Sequence, residues 1–290
     1  MSRRELLSAH LAGTGIEVGP GHAPFPVPAG VSVRFVDRLT SAEHHELFPE
    51  LPLEMGFVEP DLVADLDTDC LRAIESSSQD FVIASHVVEH LADPLAFLDD
   101  AHRVLRVGGV LLLLLPDRRC TFDAERAATP LECLLRDHES AATTPDDDHL
   151  LEFLLGADQG PQFVLPDDAD ERARLFAWHR ERSIHVHCWT DDEFVDVLKC
   201  CSDVLGHDWE CRDRLSTAES GMEFGFVLAR ADRHDARRFA AQLDAGESRP
   251  TSRVRALLDR ARGQARGRSS PGSGSASLST GGPTAPMARR

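Results

Sequence analysis

"FVIASHVVEHLADPLAFLDDAHRVLRVGGVLLLLLPD", Phe81 to Asp117, is the stretch whose reading decides the fold. With Asp80 in front, "DFVIAS" (Asp80 to Ser85) is a short apolar run that predicts a strand. Leu95, Leu98, Val104 and Leu105 then recur at helical spacing and predict a helix that stops at Gly108-Gly109. "VLLLLLPD", Val110 to Asp117, is an unbroken apolar run closed by turn residues. That is how a strand buried on both faces of a parallel sheet reads.

Toward the N-terminus the alternation continues. "DLVAD" (Asp61 to Asp65) predicts a short strand, and "VSVRFVD" (Val31 to Asp37) a longer one that ends in an acid. Another strand ends in "IEV", before a glycine loop. Residues 2–12 predict an amphipathic helix through Leu6, Leu7 and Leu11. Strands alternating with helices imply a doubly wound α/β sheet. Its ligand crevice lies beyond the carboxyl ends of the strands, so the residues at these strand ends all point at one crevice.

The loop "GIEVGPGHAPFP", Gly15 to Pro26, decides which ligand that crevice takes. A dinucleotide fingerprint needs a third glycine three residues after the second, and Pro24 stands there. Glu17, just before the loop, would repel a pyrophosphate. Gly19 and Gly21 allow close backbone approach. Asp37 is placed to accept from ribose hydroxyls, and Asp65 from an adenine amino group, with Leu66 against the purine face. Asp67 and Asp69 compete with Asp65 for that role. A ligand with adenine, ribose and a cationic amino-acid end suits this set, and S-adenosylmethionine is such a ligand. A nicotinamide dinucleotide is not.

The Phe81–Asp117 stretch closely resembles the Asp-Phe … Ser-x-Val-x-Glu-His … Pro … Arg-x-Leu-x-x-Gly-Gly block of class I S-adenosylmethionine-dependent methyltransferases. It is most similar to the methyltransferase domain 11 subgroup, and "PDRRCTFD" further resembles a branch associated with bacterial glycan and secondary-metabolite pathways. The resemblance covers roughly Gly15 to Asp117 and resumes at "IHVHCWTDDEF". It implies a mostly parallel, seven-stranded Rossmann-like sheet. It also implies that Glu17, Gly19 and Gly21 hold the methionine part, Asp37 the ribose, and Asp65-Leu66 the adenine. Ser85 and His86 then lie near the methionine group and sulfonium.

From Arg118 to Ser183 the chain turns acidic, with helical fragments such as "PLECLLRDHE" and "HLLEFLLG". It reads as a helical insertion after the fifth strand, lying over the crevice. "IHVHCW" then reads as a strand. "TDDEFVDVLKCCSDVLG" reads as a helix with Thr190 as N-cap, Glu193 completing a capping box and Gly206 as its stop. "DWECRDRLS" and "MEFGFVLAR" predict an antiparallel pair at the sheet edge. The expected organisation is a cofactor-binding domain over 1–117 and 184–230, the insertion over 118–183, a helical extension over 231–268, and a disordered Gly/Ser/Pro-rich tail over 269–290.

His86, at a strand end, is the first candidate base, since an imidazole titrates near working pH. Strand alternation places His185 and His187 on one face, so His187 is a second catalytic candidate from the insertion side. "HVH" alone is weak ligand spacing, and no metal is assigned. A divalent ion held by both histidines and an insertion carboxylate is the alternative. Glu89 and His90 read as cap and packing of the following helix.

The chain has 290 residues, 42% of them hydrophobic, enough for one large α/β domain. A net charge of −18 argues against nucleic acid or anionic lipid as a general partner. Lys199 is the one lysine. The N-terminus has no apolar signal core, and "VLLLLLP" is too short to span a bilayer. Seven cysteines without metal or disulfide spacing fit free thiols in a reducing, bacterial cytoplasm. The expected function is methylation of a small molecule, by the acidic insertion a sugar-like or natural-product hydroxyl. An N-methyltransferase, or an S-adenosylmethionine-binding protein without transfer, is the alternative.

Overall fold

In the computed structural model seven strands form one sheet: β1 (Thr14–Val18), β2 (Ser32–Asp37), β3 (Leu62–Val63), β4 (Gln79–Ser85), β5 (Leu105–Pro116), β6 (Trp209–Leu215) and β7 (Glu223–Arg230). The structure describes residues 3–244 apart from 53, 161, 162 and 234. The strand order is β3-β2-β1-β4-β5-β7-β6. The first five strands pair in parallel, and β7 runs antiparallel to both β5 and β6. The sheet is therefore α/β, doubly wound and mostly parallel, with the antiparallel pair at its edge.

The helices are α1 (Arg3–Ser8), α2 (Ser41–Leu47), α3 (Pro94–Val104), α4 (Leu131–Glu139), α5 (Asp147–Gly156), α6 (Ala169–Arg182), α7 (Asp191–Val204), α8 (Thr217–Ser220) and α9 (Ala236–Asp244). Local chemistry starts several of them. Asp93 caps α3 with Pro94 at its first turn, and Thr190 with Glu193 forms the expected capping box on α7. The leucine run of β5 is apolar throughout because both faces are covered. Leu111, Leu113 and Leu115 pack in one core with residues of α3 and α7. Leu112 and Leu114 pack in the other with Phe81, Ile83, Leu7 and Leu11.

Two elements depart from the sequence expectation. Helix α3 ends at Val104, and Gly108-Gly109 lie inside β5. A Cβ on Gly109 would stand 2.9 Å from the Arg106 carbonyl oxygen and 3.0 Å from that of Gln79. The glycine thus serves the irregular register where β5 joins β4. "IHVHCW" is not a strand: only Trp189 forms a bridge, to Asp117. Both edges of β5 are already paired, to β4 and β7. The segment instead meets the turn after β4, where the His187 amide donates to the Glu89 carbonyl at 3.0 Å.

Helices α4 to α6 lie in the stretch expected to be the insertion. It has its own apolar cluster, in which Leu150, Phe153 and Phe176 meet Ile184 and Val186. Buried Arg126 ties it inward, donating to Asp123, Glu152 and the carbonyls of His185 and Val186. Helix α9 lies in the expected extension and buries Phe239 and Leu243 in the main core. The rest of that extension and the tail lie outside the described residues. The seven cysteines are free.

Candidate functional site

The carboxyl ends of β1, β2, β3 and β4 open on a cavity of about 310 Å³. Its wall takes Gly19 and Gly21 from the loop after β1, Asp37 from the end of β2, and Asp65, Leu66 and Asp67 after β3. His86, Val87 and His90 come from the end of β4, and Pro145, His179, Arg180, Arg182, Ser183 and Ile184 form the roof.

The loop needs its glycine. Gly19 has φ +57°, and a Cβ there would stand 2.8 Å from Val87 Cγ2. Asp37 is buried; its Oδ1 accepts from the Leu39 amide at 3.2 Å and lies 3.3 Å from His44 Nε2. His44 stacks on Phe57, with centroids 4.5 Å apart. Asp65 accepts from the Asp67 amide at 2.9 Å, and Asp67 from the Ala92 amide at 2.8 Å. Burial pushes the Asp67 carboxyl up to about 6. Asp69 is exposed and is not part of the wall.

Glu17 and Ser85 stand behind this wall. Glu17 is buried, and its Oε1 accepts from the Phe25 amide at 2.8 Å, which ties the glycine loop back onto β1. Burial outweighs that hydrogen bond and pushes its carboxyl up to about 7. Ser85 pairs in register with Leu114, and the wall at this strand end is made by the residues that follow it.

His86 takes a left-handed backbone, φ +57°, uncommon for a residue other than glycine. Its Nε2 is 2.9 Å from Glu223 Oε2 at the start of β7. Arg4 of α1 grips the same carboxylate, through Nε at 3.0 Å and Nη2 at 2.6 Å. Burial opposes charge on Glu223, but the hydrogen bonds from His86 and Arg4 prevail and hold it down at about 2. Burial likewise opposes charge on His86, and the Glu223 hydrogen bond with the Glu89 and Glu223 charges raises its proton affinity. His86 Nδ1 lies 3.6 Å from Glu89 Oε1.

The two later histidines part company. His187 is fully buried in the seam beneath the insertion, stacked on Trp189, and is not part of the cavity wall. Burial, with nearby His149, pushes its imidazole down to about 3. His185 turns the other way, to Asp123 and toward Glu89 and His90. The two therefore do not share a face, and a ligand set of His185, His187 and one carboxylate is not formed. The expected strand geometry fails because the segment is irregular.

Nor do the insertion's acids line the cavity. Its roof residues include Arg180, which donates to the Pro145 carbonyl and to Asp147, and Arg182, which donates to the Leu47 carbonyl and to Glu50. Arg182 also lies over the rings of Phe48 and Trp178. These partners, with Arg4, Asp123 and Glu223, carry no local sequence signal, because each meets its partner across a long stretch of chain.

The wall fits an adenosine-bearing donor without phosphates: a loop bare of Cβ at Gly19, an acid at the end of β2, an apolar residue beside Asp65. Among solved structures the chain is similar to the CurJ carbon methyltransferase (15% identity, 77% of this chain and 50% of that chain, TM-score 0.38). It is also similar to an S-adenosylmethionine-dependent methyltransferase from Aquifex aeolicus (12%, 79% and 89%, TM-score 0.40). A third is an arsenic(III) S-adenosylmethionine methyltransferase from Chlamydomonas reinhardtii (13%, 77% and 65%, TM-score 0.36). The chain spans about half the length of the first of these. No curated protein matches its sequence. Residues 53–113, which contain β3, β4, α3 and most of β5, match the family described as Methyltransferase domain. What the comparisons give this chain is thus a stretch similar to the Methyltransferase domain, laid over the strands and helix that build the floor of the cavity.

Proposed function

We propose that the protein methylates a hydroxyl of a small sugar-like or natural-product acceptor, with His86 as general base. One observation carries this: a single cavity gathers Gly19, Gly21, Asp37, Asp65, Leu66 and His86. When bound, S-adenosylmethionine supplies an electrophilic methyl group on a sulfonium, already a good leaving group. The chain's task is mainly alignment. Gly19 and Gly21 admit the amino-acid end, and Glu17 and Ser85 shape that part of the wall from behind. Asp37 accepts from ribose hydroxyls, and Asp65 with Leu66 holds the adenine.

His86 takes the proton of the acceptor hydroxyl. Glu223, kept ionised by Arg4, orients the imidazole and stabilises its cation, as the acid does in a Ser-His-Asp triad. The roof supports an uncharged acceptor. Arg180 and Arg182 already have carbonyl and carboxylate partners, so they offer a polar rim more than spare charge. Incubation with methyl-labelled cofactor and a panel of sugars and hydroxylated natural products tests the reading. Label is expected in an ether-linked methyl group; label found only on amines would refute the choice of atom.

A further inference from the structure

Glu89 lies in the 3-10 turn Val88–His90 after β4. It is 1% exposed, and neither carboxylate oxygen has a hydrogen-bond partner. An unpaired carboxylate in the interior is costly and calls for an explanation. Three imidazoles approach it without a hydrogen bond: His86 Nδ1 at 3.6 Å and His90 Nε2 at 3.9 Å from Oε1, and His185. Glu89, His90 and His185 offer ligand atoms that all lie within 4.8 Å of one another. His90 Nδ1 is 2.8 Å from the Ile184 carbonyl oxygen, and His185 Nδ1 is 2.6 Å from Asp123 Oδ2. Each Nδ1–H has an acceptor, so each Nε2 keeps its lone pair. That is how imidazoles are oriented when they ligate a metal. Two histidines and one glutamate are the donor set of open catalytic zinc sites, and two histidines with a carboxylate also suit iron(II).

We propose that Glu89, His90 and His185 bind one divalent first-row transition cation, whose open positions face the cavity and take an oxygen of the acceptor. The second clause rests on the methyl transfer to oxygen proposed above. Glu89 is the deep ligand; His90 and its neighbours Ser183 and Ile184 line the cavity, so that side of the ion stays open. His86 adjoins the same carboxylate, which sets the base beside the ion. Ligand atoms around a zinc-sized ion stand roughly 3.3 Å apart. His90 Nε2 stands 3.9 Å from Glu89 Oε1 here.

The test uses the tag-free full chain, stripped with a chelator and titrated with cobalt(II) and with zinc, without S-adenosylmethionine or acceptor. One equivalent is expected to bind, with visible cobalt absorption and a rise in melting temperature. Glu89→Gln and His185→Gln should each lose both signals while the apo proteins still melt cooperatively. Asp123→Asn, which loosens the hold on His185 Nδ1 and also touches the Arg126 contact, should weaken binding by about 10–100-fold while the apo protein still melts cooperatively. His149→Gln, in the separate Asp137–His149–His187 cluster, should leave both signals unchanged. No bound equivalent, or binding that survives Glu89→Gln and His185→Gln, overturns the proposal. Calorimetry with S-adenosylmethionine alone is run beside it: metal uptake without cofactor binding would sink the methyl-transfer reading and leave the ion site standing.

Discussion

His86 is legible as a candidate base from its place after Ser85, but the groups that hold it are not. Glu223 lies 137 residues away, and Arg4 reaches it from α1. If His86 takes the acceptor proton, His86→Ala should lower the single-turnover methylation rate by roughly 10²–10⁴-fold. Its affinity for S-adenosylmethionine, read by calorimetry, should stay nearly unchanged; a normal rate would show that alignment alone suffices. Glu17 makes a different prediction. Its carboxyl is pushed up to about 7 by burial, so the folded state holds its proton more tightly than the unfolded state. That contribution is complete below the unfolded glutamate value and is lost as pH rises through about 7. The shift corresponds to about 3 kcal/mol. In urea denaturation, Glu17→Gln should therefore gain on the parent protein between pH 5 and pH 8. A difference that does not change with pH would show that the carboxyl titrates normally.

Among the elements, those whose signal is local were legible. The capping box on α7, the buried run of β5 and the antiparallel β6–β7 pair each follow from residues adjacent in sequence. "IHVHCW" was not, because alternation cannot show that no sheet edge is vacant for it. The strand entry at Gly108-Gly109 was missed for a related reason: a glycine that ends a helix and one that eases a strand past its neighbour read alike. Helices α2 and α6 are joined over the cavity by one side chain, Arg182, which reaches the Leu47 carbonyl, Glu50 and the Phe48 ring. Arg182→Ala should therefore speed the release of S-adenosylhomocysteine in stopped-flow measurements. An unchanged release rate would mean that the α2–α6 tie does not hold the roof down.

Across the whole molecule, the cavity draws on residues from Gly19 to Ile184. The sheet-end part of this set was legible because strand ends in a doubly wound sheet all open on one side. The roof was legible only as a composition shift, and its acidity misled, since none of that segment's acids lines the cavity while paired arginines do.

The place of β7 has a consequence for how the site comes into being. Among the described residues it is the last strand in sequence, yet it lies inside the sheet between β5 and β6, and its first residue, Glu223, holds His86. Synthesis runs from the N-terminus. Until that strand leaves the ribosome and threads into place, β5 has an open edge and His86 has no carboxylate at its Nε2. A nascent chain that already displays the whole glycine loop, Asp37 and Asp65 thus lacks the partner of the proposed base, and that site waits on the completed sheet.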